Sequence, residues 1–238
     1  MRILALDTSV AACSACLWED GRVLSGDSMP MMHGHAEALI PLLARLRDEV
    51  GLDWDSLDRI GVTVGPGSFT GLRVGLATAR ALRLATGVPV AGVTATRAWA
   101  ASLPDAVRAT VGSILVAIDT RRGDMYAELF RASDLVSLAG PEVVAASDLG
   151  SFIQRAGVGS SVPLVCGDAS GLVDPLVQAG TLLAGPAVPW PDPAVVAALA
   201  AGAVLQDGDD VPSALYVRPP DAAIPANGGQ LRPGAPAP

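Results

Sequence analysis

The densest chemical signal in the chain runs from Gly65 to Arg80: Gly-Pro-Gly-Ser-Phe-Thr-Gly-Leu-Arg-Val-Gly-Leu-Ala-Thr-Ala-Arg. It follows Arg59-Ile60-Gly61-Val62-Thr63-Val64, a strand pattern, and so sets a glycine-rich turn between a strand and a helix. Free backbone amides and the helix dipole make such a turn a natural anion site. Two familiar phosphate cradles nevertheless fail here. A P-loop needs Gly-Lys-Ser/Thr, and no lysine follows. The dinucleotide fingerprint has one residue too many before Gly71, and Val88 to Thr94 supplies no acidic residue at the end of the next strand. Ser68 sits on the turn as a conceivable nucleophile. However, Pro66 stands where a nucleophile elbow needs glycine, and no histidine bears a recognisable relation to the serine.

Two aspartates are candidates for holding a metal-bound phosphate. Asp7 ends the apolar run Ile3-Leu4-Ala5-Leu6 and is followed by Thr8 and Ser9; Asp119 ends Leu115-Val116-Ala117-Ile118 and is followed by Thr120. The same residue types cap turns equally well, so phosphate binding and turn capping both stand. His33 and His35 have only Glu37 nearby as a third ligand, too few for a metal site. They read as an exposed pair leading into a helix. Cys13 and Cys16 lie three apart on a strand and therefore point to opposite faces, which disfavours ligation and favours burial. No residue carries a catalytic signature, and no metal is expected.

These residues are positioned by a recognisable series of elements. Strands are predicted over Ile3–Ser9, Cys13–Trp18 and Arg22–Ser28, the last two joined through Asp20-Gly21, a hairpin signal. A helix is predicted over His35–Val50, with Leu39, Ile40, Leu42, Leu43 and Leu46 at helical spacing and a kink or start near Pro41. A second helix runs from Phe69 to about Ala85. Along it Gly71, Gly75 and Ala79 recur every four residues and form a smooth stripe. Glycine costs about 1 kcal/mol per interior position, so the stripe needs compensation. That compensation is close packing, either on the chain's own sheet or on a helix of another subunit. Val88–Val93 and Ala95–Leu103 follow as a strand and a helix.

The opening pattern then repeats at Leu115–Thr120, and Met125–Phe130 again forms a hairpin, which indicates two duplicated lobes. The N-terminal lobe is expected over 1–108 and the C-terminal lobe over 109–190. An alanine-rich helix at 192–205 packs back on one of them, the first being its expected place. The proline-, alanine- and glycine-rich tail at 219–238 is expected to be disordered. Hydrophobic residues make up 50% of the chain, enough for a sizeable core, whereas the net charge of −8 opposes unaided RNA binding. The short N-terminal apolar run and the lack of a membrane-length segment predict a soluble, cytoplasmic protein.

Gly65-Pro66-Gly67-Ser68-Phe69-Thr70-Gly71-Leu72-Arg73-Val74-Gly75 resembles the hallmark of the TsaB (YeaZ) family. Asp7-Thr8-Ser9, the hairpin at Asp119 with Arg122-Gly123-Asp124-Met125-Tyr126, and Leu215-Tyr216-Val217-Arg218 also resemble that family, over about residues 1–218. The resemblance implies an α/β actin/hexokinase-like ATPase fold, related to ribonuclease H, with two duplicated lobes built on mixed five-stranded sheets. It implies a non-catalytic partner subunit in the formation of N6-threonylcarbamoyladenosine beside the tRNA anticodon. Its partners would be a TsaD-type catalytic subunit and a TsaE-type ATPase, with homodimers when alone and tRNA met only through the complex. TsaD carries a His-x-x-x-His metal motif; His33-Gly34-His35 has a different spacing. In the family the two N-terminal helices contact TsaD. This favours the intersubunit reading of the stripe and makes Leu39, Leu42, Leu43, Leu46, Gly71, Leu72, Gly75, Thr78 and Ala79 the expected interface. No cofactor is implied. The alternative is an ATPase or ATP-dependent phosphotransferase that uses Asp7, Thr8, Ser9 and Asp119 in the cleft.

Overall fold

The computed structural model describes residues 1–159, 161–205 and 212–218. The expected disordered tail, 219–238, lies outside them. Two mixed five-stranded sheets organise the chain. The first contains β1 (Arg2–Val10), β2 (Ala12–Glu19), β3 (Arg22–Pro30), β4 (Arg59–Gly65) and β5 (Val90–Thr94), in the order β3-β2-β1-β4-β5. The second contains β6 (Ser113–Asp119), β7 (Asp124–Arg131), β8 (Ser137–Ala145), β9 (Leu164–Cys166) and β10 (Leu183–Ala184), in the order β10-β9-β6-β7-β8. Read from its other end, the second order is the first. In both sheets the first three strands form an antiparallel meander, and the last two add in parallel beside the opening strand. The short Asp-Thr repeat in the sequence therefore marks a duplication of topology.

Local chemistry accounts for the first lobe. Asp20 and Gly21 both adopt positive φ, 47° and 90°, the combination a tight two-residue hairpin requires, and Glu19 pairs with Arg22 across it. On α1 (His35–Val50), Leu39, Leu42, Leu43 and Leu46 are buried against the sheet. Pro41 neither starts nor breaks that helix. It lies on the exposed side, where water reaches the carbonyl left without a donor. Ile40 also points outward, one residue off the buried stripe. Next to α1 lies α2 (Phe69–Thr86), which Ser68 caps by accepting a hydrogen bond from the Gly71 amide. Both helices cover the sheet face bearing Leu4 and Leu6. The opposite face, bearing Ile3 and Ala5, is covered by α3 (Ala95–Ala101) and α7 (Pro193–Ala201). Cys13 and Cys16 fall on those two opposite faces, and burial pushes their thiols up to about 11 and about 12. The remaining helices are α4 (Asp105–Arg108), α5 (Leu149–Arg155) and α6 (Ser170–Gln178).

Two devices join the lobes. Ala95, Trp99, Ala100 and Leu103 pack with Val10 of β1 into one cluster with Ile114, Val116, Ile118 and Phe130 of the second sheet. Beside it the Thr96 hydroxyl donates to the buried Glu128 carboxylate of β7, 2.5 Å away. The second device is α7, which follows the second sheet in sequence yet packs on β1, β2 and β4 of the first. Arg59 of β4 fixes its end, one guanidinium nitrogen donating to the carbonyls of Ala200 (2.5 Å), Ala201 (3.2 Å) and Ala203 (2.9 Å). Among the described residues, no helix is long and apolar enough to cross a membrane.

Candidate functional site

Phosphate binding and turn capping were both open for Asp7, Thr8 and Ser9, and the structure holds them inside the first lobe. All three are buried. Asp7 Oδ1 accepts hydrogen bonds from the Ser9 amide (2.8 Å), the Ser9 hydroxyl (2.6 Å) and the Thr63 hydroxyl (2.6 Å). The Thr8 hydroxyl donates to the Gly71 carbonyl at 2.7 Å. The lid over them is the glycine turn itself. A Cβ on Gly67 would lie 2.2 Å from the Ser9 carbonyl oxygen, and one on Gly71 would lie 1.9 Å from that of Thr8. The glycines thus bring turn and helix directly onto the loop. Burial raises the Asp7 carboxyl above its ordinary range against the opposing hydrogen bonds of Ser9 and Thr63, and its second oxygen has no partner.

In the second lobe the corresponding loop is open. Asp119 lies at the end of β6 and lines a cleft of about 990 Å³ between the lobes. Its amide donates to Asp168 Oδ1 at 2.8 Å, and the Arg121 guanidinium spans both carboxylates, 3.0 Å from Asp119 Oδ2 and 2.9 Å from Asp168 Oδ2. Arg121 adopts φ 62°, rare for a residue with a side chain, and its amide donates to Asp119 Oδ1. Desolvation raises the Asp168 carboxyl, and the Asp119 amide and Arg121 oppose that shift. Asp119 and Asp7 are therefore not brought to one site: one faces the cleft, the other the core. Asp168 was not anticipated. Its signal was Gly167-Asp168 following β9, the counterpart of the glycine turn following β4.

His33 and Ser68 also line the cleft, with the buried His35, whose ring Nε2 lies 3.2 Å from the Val10 carbonyl oxygen. The Ser68 hydroxyl is engaged as the cap of α2. No group of three His, Cys, Asp or Glu side chains is arranged to hold a metal ion among the described residues. Residues 215–218 line the same cleft. Leu215 donates its amide to the Val64 carbonyl at 2.7 Å, the Tyr216 hydroxyl accepts from Arg73 Nε at 3.2 Å, and Arg218 pairs with Asp124 of β7. Arg73 also lies over the Phe69 ring, 3.8 Å from its centroid.

Burial separates the expected interface set. Leu39, Leu42, Leu43, Leu46, Gly71, Leu72, Gly75 and Ala79 are all buried within the first lobe, and only Thr78 of that set is half-exposed. The small-residue stripe serves the lobe's own packing: a Cβ on Gly75 would meet the Thr8 hydroxyl at 2.7 Å. The opposite face of the same two helices is the unusual one. Ala36, Ile40 and Ala44 recur every four residues along the exposed side of α1. Ala77, Ala81, Leu84 and Ala85 are exposed on α2, with Val74 and Thr78 half-exposed beside them. Leu84 is 90% exposed, Ile40 57% and Phe69 51%. Phe69 stacks on Tyr216 at the cleft, whereas Ile40 and Leu84 stand among exposed alanines, and a continuous apolar face of this kind marks an interaction surface more often than single exposed side chains do. The signal was present in the sequence as Ile40 and Leu84, apolar residues lying off the buried stripes.

Comparison with known proteins agrees with this architecture. A family model described as "TsaD: tRNA N6-adenosine threonylcarbamoyltransferase" matches residues 31–151, about half of the chain. The TsaB protein of Escherichia coli, described as a tRNA threonylcarbamoyladenosine biosynthesis protein, is 34% identical over 126 residues, 53% of this chain and 53% of that protein. An uncharacterized protein of Mycobacterium tuberculosis is 38% identical over 150 residues, 62% of this chain and 66% of that protein. The match thus spans about half to two thirds of the length of these relatives. Among solved structures, YeaZ from Pseudomonas aeruginosa superimposes with a TM-score of 0.67 at 25% identity, covering 84% of this chain and 90% of that one. A second Pseudomonas aeruginosa protein, described as similar to the peptidase YEAZ, shares the fold at a TM-score of 0.74 and 24% identity, covering 91% of this chain and 99% of that one. With duplicated five-stranded lobes, the glycine turn and these likenesses, the chain belongs to the TsaD family of threonylcarbamoyltransferase-related proteins, on its TsaB (YeaZ) branch.

Proposed function

We propose that this chain is a non-catalytic docking subunit for the formation of N6-threonylcarbamoyladenosine in tRNA. It binds a TsaD-type catalytic relative through the outward face of α1 and α2 and works beside a TsaE-type ATPase in the cytoplasm. The observation that carries the reading is the exposed apolar face, with Ile40 on α1 and Leu84 on α2, of a helix pair whose inner face is fully used. The sealed Asp7 loop supports the non-catalytic part, since a phosphotransferase needs its carboxylate in contact with the nucleotide or acceptor. The net charge of −8 supports tRNA contact through the partner rather than by this chain alone.

The test is reconstitution of tRNA modification from purified chain, TsaD-type subunit, TsaE-type ATPase, threonylcarbamoyl-adenylate source and tRNA. Omitting the chain is expected to abolish modification. Asp7→Asn is expected to support it as fully as the native chain, whereas Leu84→Asp is expected to lose both modification and co-elution with the TsaD-type subunit. Modification without the chain, or ATP turnover by the isolated chain that Asp7→Asn removes, would refute the proposal.

A further inference from the structure

The docking face is charged as well as apolar, and the charge is one-sided. α2 carries Arg73, Arg80 and Arg83 and no acidic residue. Several arginines elsewhere in this acidic chain face carboxylates, as in Arg2–Glu19, Arg45–Asp27 and Arg155–Glu142, and Arg59 is held by the carbonyls at the end of α7. Among the described residues, none of the α2 arginines does: Arg73 meets only Phe69 and Tyr216, and Arg80 and Arg83 form no ion pair. At 100° per residue, Arg73, Ala77, Arg80 and Leu84 fall on one line along the exposed side, so the guanidinium groups flank the apolar face. Flanking charges of this kind select partners and orientation in helix–helix contacts.

From this arrangement we infer that α2 selects a partner chain whose apolar docking surface is flanked by exposed carboxylates. The inference rests on the docking reading above and specifies the chemistry of the surface that fits it. A second copy of this chain answers poorly. Its α2 would set arginine against arginine, and of the acidic residues on its α1, Asp48 and Glu49 are already paired with Arg47 and Arg45, which leaves Glu37 alone at the start of the helix, far from Arg80 and Arg83 along the axis. RNA answers poorly as well, because phosphate would leave Leu84 and Ile40 in water and would face a net charge of −8.

The experiment measures binding of the full chain to the TsaD-type subunit at low and high salt, with the double variant Arg80→Glu/Arg83→Glu. The double variant Arg80→Ala/Arg83→Ala guards against misfolding, checked by circular dichroism, and Leu84→Asp reports on docking itself. Charge reversal is expected to weaken binding by about tenfold or more at low salt, mostly through a slower on-rate, and to flatten or invert the salt dependence. The alanine pair is expected to fall between. If Leu84→Asp abolishes binding while reversal changes neither affinity nor salt dependence, docking stands and the charge inference falls. If Leu84→Asp also leaves binding unchanged, the docking reading itself falls. A reversal that instead alters the self-association of the chain, read by analytical ultracentrifugation, would assign the arginines to a second copy. Loss of direct tRNA binding in the reversed variant would assign them to RNA. Either result overturns the inference.

Discussion

At the scale of single residues, the glycines of the hallmark turn are explained by what their missing side chains admit. Gly71 lets α2 settle onto the Thr8 carbonyl, and Gly67 lets the turn settle onto that of Ser9. In an ordinary helix, replacing glycine with alanine would stabilise by about 1 kcal/mol. Here the added carbon meets immobile backbone at 1.9 Å, and overpacking of this kind costs about 1–3 kcal/mol and sometimes more. Gly71→Ala is therefore expected to lose about 2 kcal/mol in urea unfolding, opposite in sign to the propensity expectation. A gain in stability would show that the helix can shift away from Thr8. By the same geometry, a bulky residue at Gly75 disturbs the lobe itself and reports nothing about docking. The sequence pattern revealed that close approach was required, but spacing alone left open whether the neighbour was the chain's own loop or another subunit. That choice depends on where β1 ends relative to α2, a long-range fact that i, i+4 spacing does not contain.

At the scale of elements, legibility followed the strength of amphipathic pattern. α1 was readable because Leu39, Leu42, Leu43 and Leu46 repeat cleanly, although Pro41 left its start open. The hairpins were readable from Asp20-Gly21 and from the turn after Asp119. β8, α5, α6 and β10 were not anticipated. β8 is an edge strand broken by Gly140-Pro141, and α6 is interrupted by Gly171 and Pro175, so neither has a continuous period. The placement of α7 was beyond periodicity because alanine and valine surround the helix on every side. What fixes it is Arg59, whose three hydrogen bonds satisfy carbonyls at the negative end of the helix. Arg59→Met keeps much of the side-chain length but none of the donors. Hydrogen bonds to a charged group contribute about 1.5–3 kcal/mol, so the variant is expected to lose about 2 kcal/mol. Amide exchange should quicken first at the end of α7; equal exchange in both proteins would remove Arg59 from this role.

At the scale of the whole molecule, the two lobes have the same topology and different fates. The first closes its aspartate loop into the core and turns an apolar, arginine-flanked helix face outward; the second leaves its aspartate loop on the cleft. The lobes are also welded, since α3 shares one apolar cluster with both sheets and Thr96 is hydrogen-bonded to Glu128 beside it. Burying a carboxylate there has a measurable consequence. Desolvation raises the Glu128 carboxyl above its ordinary value, with Thr96, Ser137 and Arg97 only partly opposing that shift. A folded-state pKa above the unfolded one means that both states are protonated in acid, where the group is neutral in its effect. As pH rises from the unfolded pKa through the folded one, the unfolded chain releases its proton first, and native stability falls. Glu128→Gln keeps an acceptor for the Thr96 hydroxyl without a charge to bury. The variant is expected to match the native protein near pH 4 and to become progressively more stable than it toward pH 8, by urea denaturation at each pH. Because the site lies between the lobes, the gain should appear as an upward shift of one cooperative transition. A shift confined to one of two separable transitions would show that the weld does not couple the lobes, and a constant difference across pH would show that Glu128 is not held above its ordinary range.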